Sequence, residues 1–176
     1  MLGGEENDQP ATPGTPRNVY QSLRSQALAA SPSLAGFTSS GTDRVVYGAV
    51  MDWAMDRVVV TVLALEDGTG SVYLSTGGAV IGGGFHEPVR QAVRAFILAF
   101  EPFVDRMVAD HDPQPPPQGC TDLRALTTRG RLVARAPTAE FGEGPHPMSG
   151  VFHAGQGVIT VIRQLPPVAE RRRPDG

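Results

Sequence analysis

The chain has 176 residues, a formal net charge of −3 at pH 7, 40 % hydrophobic residues and one cysteine, Cys120. A length of this order suits one domain with a core of its own, and a lone cysteine excludes an intramolecular disulfide and fits a reducing, cytoplasmic compartment. The acidic balance argues against a general nucleic-acid binder and against a membrane-surface protein.

All fifteen basic residues are arginine. A GC-rich, bacterial-type coding sequence produces that usage, and it also suits bidentate carboxylate or phosphate partners. The start, MLGGEENDQP, carries acids where a signal peptide needs positive charge. The longest apolar run, Val58 to Leu65, is interrupted by Thr61 and falls far short of the ~20 residues of a membrane span. Prolines cluster before residue 17, between 113 and 117, and after 165. They predict disordered segments at 1–15 and 169–176, and one domain over 16–168 with a proline-rich loop at about 110–120.

Within that domain Thr15-Pro16 has the form of an N-cap followed by proline at the first helical position. Val19, Leu23 and Ala27 recur at helical spacing, predicting a short helix over 16–29. From Val45 the period becomes two, placing Tyr47, Ala49, Met51, Trp53 and Met55 on one face and Val46, Gly48, Val50, Asp52 and Ala54 on the other. Residues 58–65 are apolar on both faces, as in a central strand. Glu66-Asp67-Gly68-Thr69-Gly70 supplies turn chemistry before a further strand at 71–75.

The stretch TGGAVIGGGFHEPVRQA then leads into a stripe of Val89, Val93, Phe96, Phe100, Phe103 and Met107, predicting one long helix kinked at Pro102. Residues 131–136 and 158–165 read as strands. The fold class is therefore α+β: an antiparallel sheet of about five strands, with the long helix on one face and the short N-terminal helix covering part of the other. This order of elements is similar to that of the roadblock and profilin-like architectures, in which a small sheet carries helices and often pairs with a second copy.

Glycines between a strand and a helix can present backbone N–H groups to an anion, so Gly82, Gly83, Gly84 and His86 form one candidate ligand site. Their spacing, GGxxxGGG from Gly77, fits neither the dinucleotide fingerprint nor a P-loop, and no lysine exists to meet a phosphate. The simpler expectation is a bend at Gly77-Gly78 and positive φ before the helix. No cofactor or metal is expected. Glu140, Glu143 and His146 share a segment broken by glycine and proline, and no zinc-ligand spacing occurs.

Catalytic expectations are thin. Cys120 lacks an identifiable base, and no catalytic residue is assigned. A hydrolase using His86, Glu87 or His153 with Asp52 would need those groups to converge in space. Asp52, among small and apolar neighbours, reads as a residue of the sheet's rim, with a half-buried position as the alternative, and His153 as one at a strand edge.

The favoured expectation is a non-enzymatic module that binds a protein partner or itself as a homo-oligomer. Tyr47, Met51, Trp53 and Met55 are its anchors, on a sheet with more apolar surface than two helices cover. A small-ligand sensor using the glycine segment is the alternative.

Overall fold

The computed structural model describes residues 15–38 and 43–165; the ends expected to be disordered, apart from Thr15, lie outside the described residues. One antiparallel sheet organises them. Its strands are β1 (Val46–Ala54), β2 (Val59–Leu65), β3 (Gly70–Leu74), β4 (Ala79–Val80), β5 (Val108–Ala109), β6 (Cys120–Thr127) and β7 (Gly130–Pro137), in the order β4-β3-β2-β1-β6-β7-β5. The helices are α1 (Pro16–Leu28), α2 (Glu87–Leu98), α3 (Thr138–Gly142) and α4 (Ser149–Arg163). The α+β class and the antiparallel sheet are as expected. Seven strands replace about five, because two-residue strands form both edges, which leaves little backbone open to further pairing.

Three element expectations are corrected. Residues 158–165 are mostly helix, not strand: five consecutive β-branched residues, Val158 to Ile162, imitate a strand, but Val151, Gly155, Val158 and Ile162 bury one helical face. Residues 120–127 form a strand that the proline-rich prelude concealed. The long helix ends at Leu98. Pro102 disfavours helix in the residue before it, and the chain descends through turns such as Phe103 N–H to Phe100 O at 2.9 Å.

Two apolar layers sandwich the sheet. On one face α2 and α4 pack Val93, Phe96, Phe152 and Val158 onto Ala49, Met51, Val62 and Leu123. On the other, α1 packs Tyr20, Ala27 and Leu28 over Tyr47, Val50, Leu63 and Tyr73. Tyr47 therefore does not share a face with Met51, as strict alternation would have it. The pairing of β1 with β6 shifts register between Val46 and Gly48, and such a bulge moves a side chain to the opposite face. The buried face of α1 is also rotated from the expected stripe. Val19 is 50 % exposed while Arg24 is buried. Thr15 stands before the helix and its carbonyl accepts from Asn18 N–H at 2.8 Å, but its hydroxyl caps nothing.

The three tyrosines of the chain all lie in the α1 layer. Tyr47 donates its hydroxyl to Ala30 O at 2.7 Å. Burial raises the phenol of Tyr20, Tyr47 and Tyr73 above the ordinary value of 10.0. A raised folded-state pKa gives stability that is complete below the unfolded value and is lost as pH climbs through the folded one. The expected result is flat stability up to about pH 10 and then a steep fall. Ultraviolet titration should show tyrosinate appearing together with unfolding, and tyrosinate forming with α1 still docked would contradict it.

Candidate functional site

The polar centre of the molecule lies beneath α1. Pairing across the sheet sets Tyr73, Thr61, Asp52, Asp122 and Arg135 in one row over β3, β2, β1, β6 and β7. Asp52 and Asp122 are thus direct cross-strand neighbours, and both are fully buried. Like charges directly opposite are destabilising, and buried ones need cations. Arg124, two residues along β6 and also 0 % exposed, supplies the first. Its Nη1 meets Asp52 Oδ2, its Nη2 meets Asp122 Oδ2 at 2.6 Å, and its Nε meets Asp110 Oδ2 at 3.1 Å.

Three more arginines close the network. Arg24 of α1 grips Asp52 with Nε at 3.1 Å and Nη2 at 2.7 Å. Arg135 forks onto Asp122 at 2.6 and 2.8 Å. Arg131 joins Asp110 at 3.1 Å and reaches Leu28 O, at the end of α1, at 3.1 Å. Thr61 donates to Asp52 Oδ1 at 2.6 Å, which leaves its oxygen to accept from Tyr20 at 2.9 Å. Burial pulls the Arg24 guanidinium down, but Asp52's hydrogen bond and charge outweigh it and hold it above its ordinary value. Asp122's hydrogen bond does the same for Arg135.

The same arginines pin the proline-rich segment 110–119. Pro113 O accepts from Arg24 Nη1, and Gln114 O accepts from Arg124 Nη2 at 3.2 Å. Among the described residues no buried side-chain nitrogen or oxygen lacks a partner. A network whose carboxylates are all sealed and paired orients structure; it offers no free base or nucleophile. Asp52 is therefore not a rim residue. The rim expectation failed because its partners lie 28 and 72 residues away in sequence.

The candidate hydrolase groups do not meet. Asp52 is sealed under α1, whereas His153 is exposed on α4, beyond the opposite layer, with Nδ1 3.2 Å from Gln156 Oε1. His153 is thus on a helix and not at a strand edge. His86 is exposed at the start of α2. His146 lies against the Phe141 ring at 4.5 Å, and its Nδ1 accepts from Met148 N–H at 3.1 Å. No three His, Cys, Asp or Glu side chains among the described residues are placed to hold a metal.

The glycine segment is shaped by packing. Gly77 and Gly78 turn the chain between β3 and β4, both at positive φ. Gly82 is left-handed at φ 74, and residues 83–85 form one 3₁₀ turn. A Cβ on Gly84 would lie 2.9 Å from Gly68 O, and one on Gly83 would lie 3.1 Å from Val89 Cγ1. These glycines let the segment press on the β2–β3 turn. The start of α2 is already served by Glu87, whose carboxyl Arg90 and Gln91 hold below its usual value.

A large open concavity lies on the other face, beside α4. It is a groove of 970 Å³ floored by Trp53, Val60, Val72 and Leu74 and walled by Ile159 and Ile162. Met55 and Val80 also line it, 36 % and 45 % exposed. Trp53 is half-buried and meets Phe152 edge-on at 5.6 Å. Two of the four expected anchors therefore reach this surface. Tyr47 and Met51 are 6 % and 0 % exposed and serve the core. Sequence reasoning missed Val80, Ile159 and Ile162, because it read the last two as strand.

No family model, curated protein or solved structure matches the chain. Function must rest on these surfaces.

Removing Arg124 would leave a buried Asp pair without its shared cation. Arg124→Ala should cost about 3–5 kcal/mol in chemical denaturation, or prevent folding, while Arg57→Ala, whose side chain is 93 % exposed, should stay within about 0.5 kcal/mol. Equal effects from the two would refute the role given to Arg124.

Proposed function

We propose that the chain is a protein-interaction module that takes an apolar segment of a partner into the groove beside α4. The observation that carries this reading is an uncovered apolar floor containing Trp53, bordered by exposed Met55 and Val80. Contiguous apolar surface of this kind marks partner sites, and aromatic residues and methionine are favoured in them. Among the described residues, Arg57 and Arg163 are the charged residues lining the groove. Both are cations, so the partner segment they suit carries Asp or Glu beside its apolar anchors.

Self-association through the groove itself fits less well, because a two-fold axis would set cation against cation. The edge of the sheet supports a second reading. β4 is exposed along its length, and Ile81 and Phe85 beyond it are 61 % and 94 % exposed. A second copy would pack there through the side chains of Ile81 and Phe85 and not by extending the sheet. The single cysteine supports a cytoplasmic setting for either role.

Trp53 is the sole tryptophan, so its fluorescence reports on the groove. Peptides selected from a random library against the full chain should carry apolar anchors flanked by acids and shift Trp53 emission. Met55→Glu combined with Val80→Asp should weaken them by at least about tenfold without loss of fold. Binders indifferent to both substitutions would overturn the groove assignment. Light scattering on the same proteins decides the second reading, which requires a dimer that Phe85→Glu or Ile81→Asp disrupts.

A further inference from the structure

We propose that the cleft between α1 and the proline-rich segment binds a small phosphate-bearing anion. This site lies on the α1 side of the sheet, away from the glycine segment, and does not depend on the groove reading. The cleft measures 600 Å³, within the size range of small-molecule sites. Arg17, Arg24 and Arg57 line it, with the hydroxyl residues Ser25, Ser75 and Thr76, and among the described residues no carboxylate belongs to its lining. In a chain of net charge −3, such a concentration of guanidinium groups is a local reversal of sign.

What lies beneath adds to it. The network sets four guanidinium groups, the buried Arg24 and Arg124 and the partly exposed Arg131 and Arg135, against three buried carboxylates, of Asp52, Asp110 and Asp122. Arg24 is the one of these four that lines the cleft, so it brings the network's positive charge to the floor, while water screens the partly exposed Arg131 and Arg135. The neighbouring segment does not cancel it. The carbonyls of Pro113 and Gln114, which would repel an anion, are turned onto Arg24 and Arg124.

Asp52 is sealed beneath Arg24, and Asp56 lies 3.7 Å from Arg57 Nε, but both side chains of that second pair are more than four-fifths exposed, and water screens it. Arg17, on the first turn of α1, is exposed and stands on the cleft wall. Guanidinium forks approaching from α1 and from the β1–β2 turn, with hydroxyl donors between them, suit a tetrahedral group that accepts from several directions. The same donors would serve a free phosphorylated metabolite or a lipid headgroup.

The test is isothermal calorimetry of the full chain with pyrophosphate, and separately with inorganic phosphate, at constant ionic strength in sodium chloride. Saturable binding of pyrophosphate is expected, with a matching rise in thermal midpoint. Arg17→Ala and Arg57→Ala should each weaken it by about tenfold, as the loss of one charge-assisted contact does. Arg17→Ala is the more specific variant, because Arg57 also borders the groove.

Sedimentation with phosphatidylcholine vesicles, with and without phosphatidic acid, separates the sources. Binding of pyrophosphate alone assigns a free ligand, whereas Arg17-dependent capture by the anionic vesicles assigns a headgroup, and either supports the site. No heat and no vesicle capture would overturn the proposal. So would binding that both substitutions leave unchanged, or that is lost instead in His86→Ala.

Discussion

Two aspartates facing each other across adjacent central strands, both sealed from water, set the problem that this fold solves. Asp52 and Asp122 could not share that position unaided, since desolvated like charges repel with little screening. Arg124 lies two residues from Asp122 on the same face of β6 and gives each carboxylate one N–H donor. The remaining carboxylate oxygens then recruit Arg24 from α1 and Arg135 from β7, while the remaining Arg124 nitrogen recruits Asp110. One buried charge problem thereby ties a helix, three strands and a proline-rich segment to a common point. Replacing such a cluster wholesale by apolar side chains need not destabilise a protein, whereas breaking one member does. Its value is therefore geometric: it fixes where α1 and the segment 110–119 rest.

That division of labour gives the sheet two unlike sides. On the α1 side, polar groups are consumed internally and an arginine-lined cleft opens above them. On the side of α2 and α4 the packing is apolar apart from the hydroxyl pair of Thr121 and Thr138, and α4 stops short of covering Trp53, Val72 and Leu74 completely. A surplus of apolar sheet surface exists, as the composition of the strands suggested, but it is smaller than two helices would have left. The helix formed by residues 149–163 hides Met51 and much of the neighbouring floor, so the open apolar surface lies toward β3 and β4.

How much of this the sequence revealed depends on how far each residue's partner lies along the chain. β1, β2 and β3 were legible because alternation, a continuous apolar run and the Glu66–Gly70 turn are local signals. The first turns of α2 were legible for the same reason. β6 was hidden because its inward positions are Thr121, Leu123 and Ala125 on one face but Asp122 and Arg124 on the other, and buried charges look like loop until their distant partners are known. α4 was hidden by its β-branched run and by Gly155, a small residue at a core position. The bulge at Tyr47–Gly48, which no local pattern announces, split the expected anchors between faces. Trp53 and Met55 survived as surface residues because they lie beyond that bulge, near the open end of β1.

The central claim is that α1 and the segment 110–119 are held as one unit by the charges around Arg124. Native-state hydrogen exchange comparing the unaltered chain with Arg24→Met tests it most directly, since Met keeps much of the stem's volume but removes the fork. The account requires protection in α1 and at Asp110, Gly119 and Cys120 to fall together, while α2 and α4 keep theirs. Loosening of α1 with the other segment still fully protected would show that the two are anchored separately, and the account would be wrong.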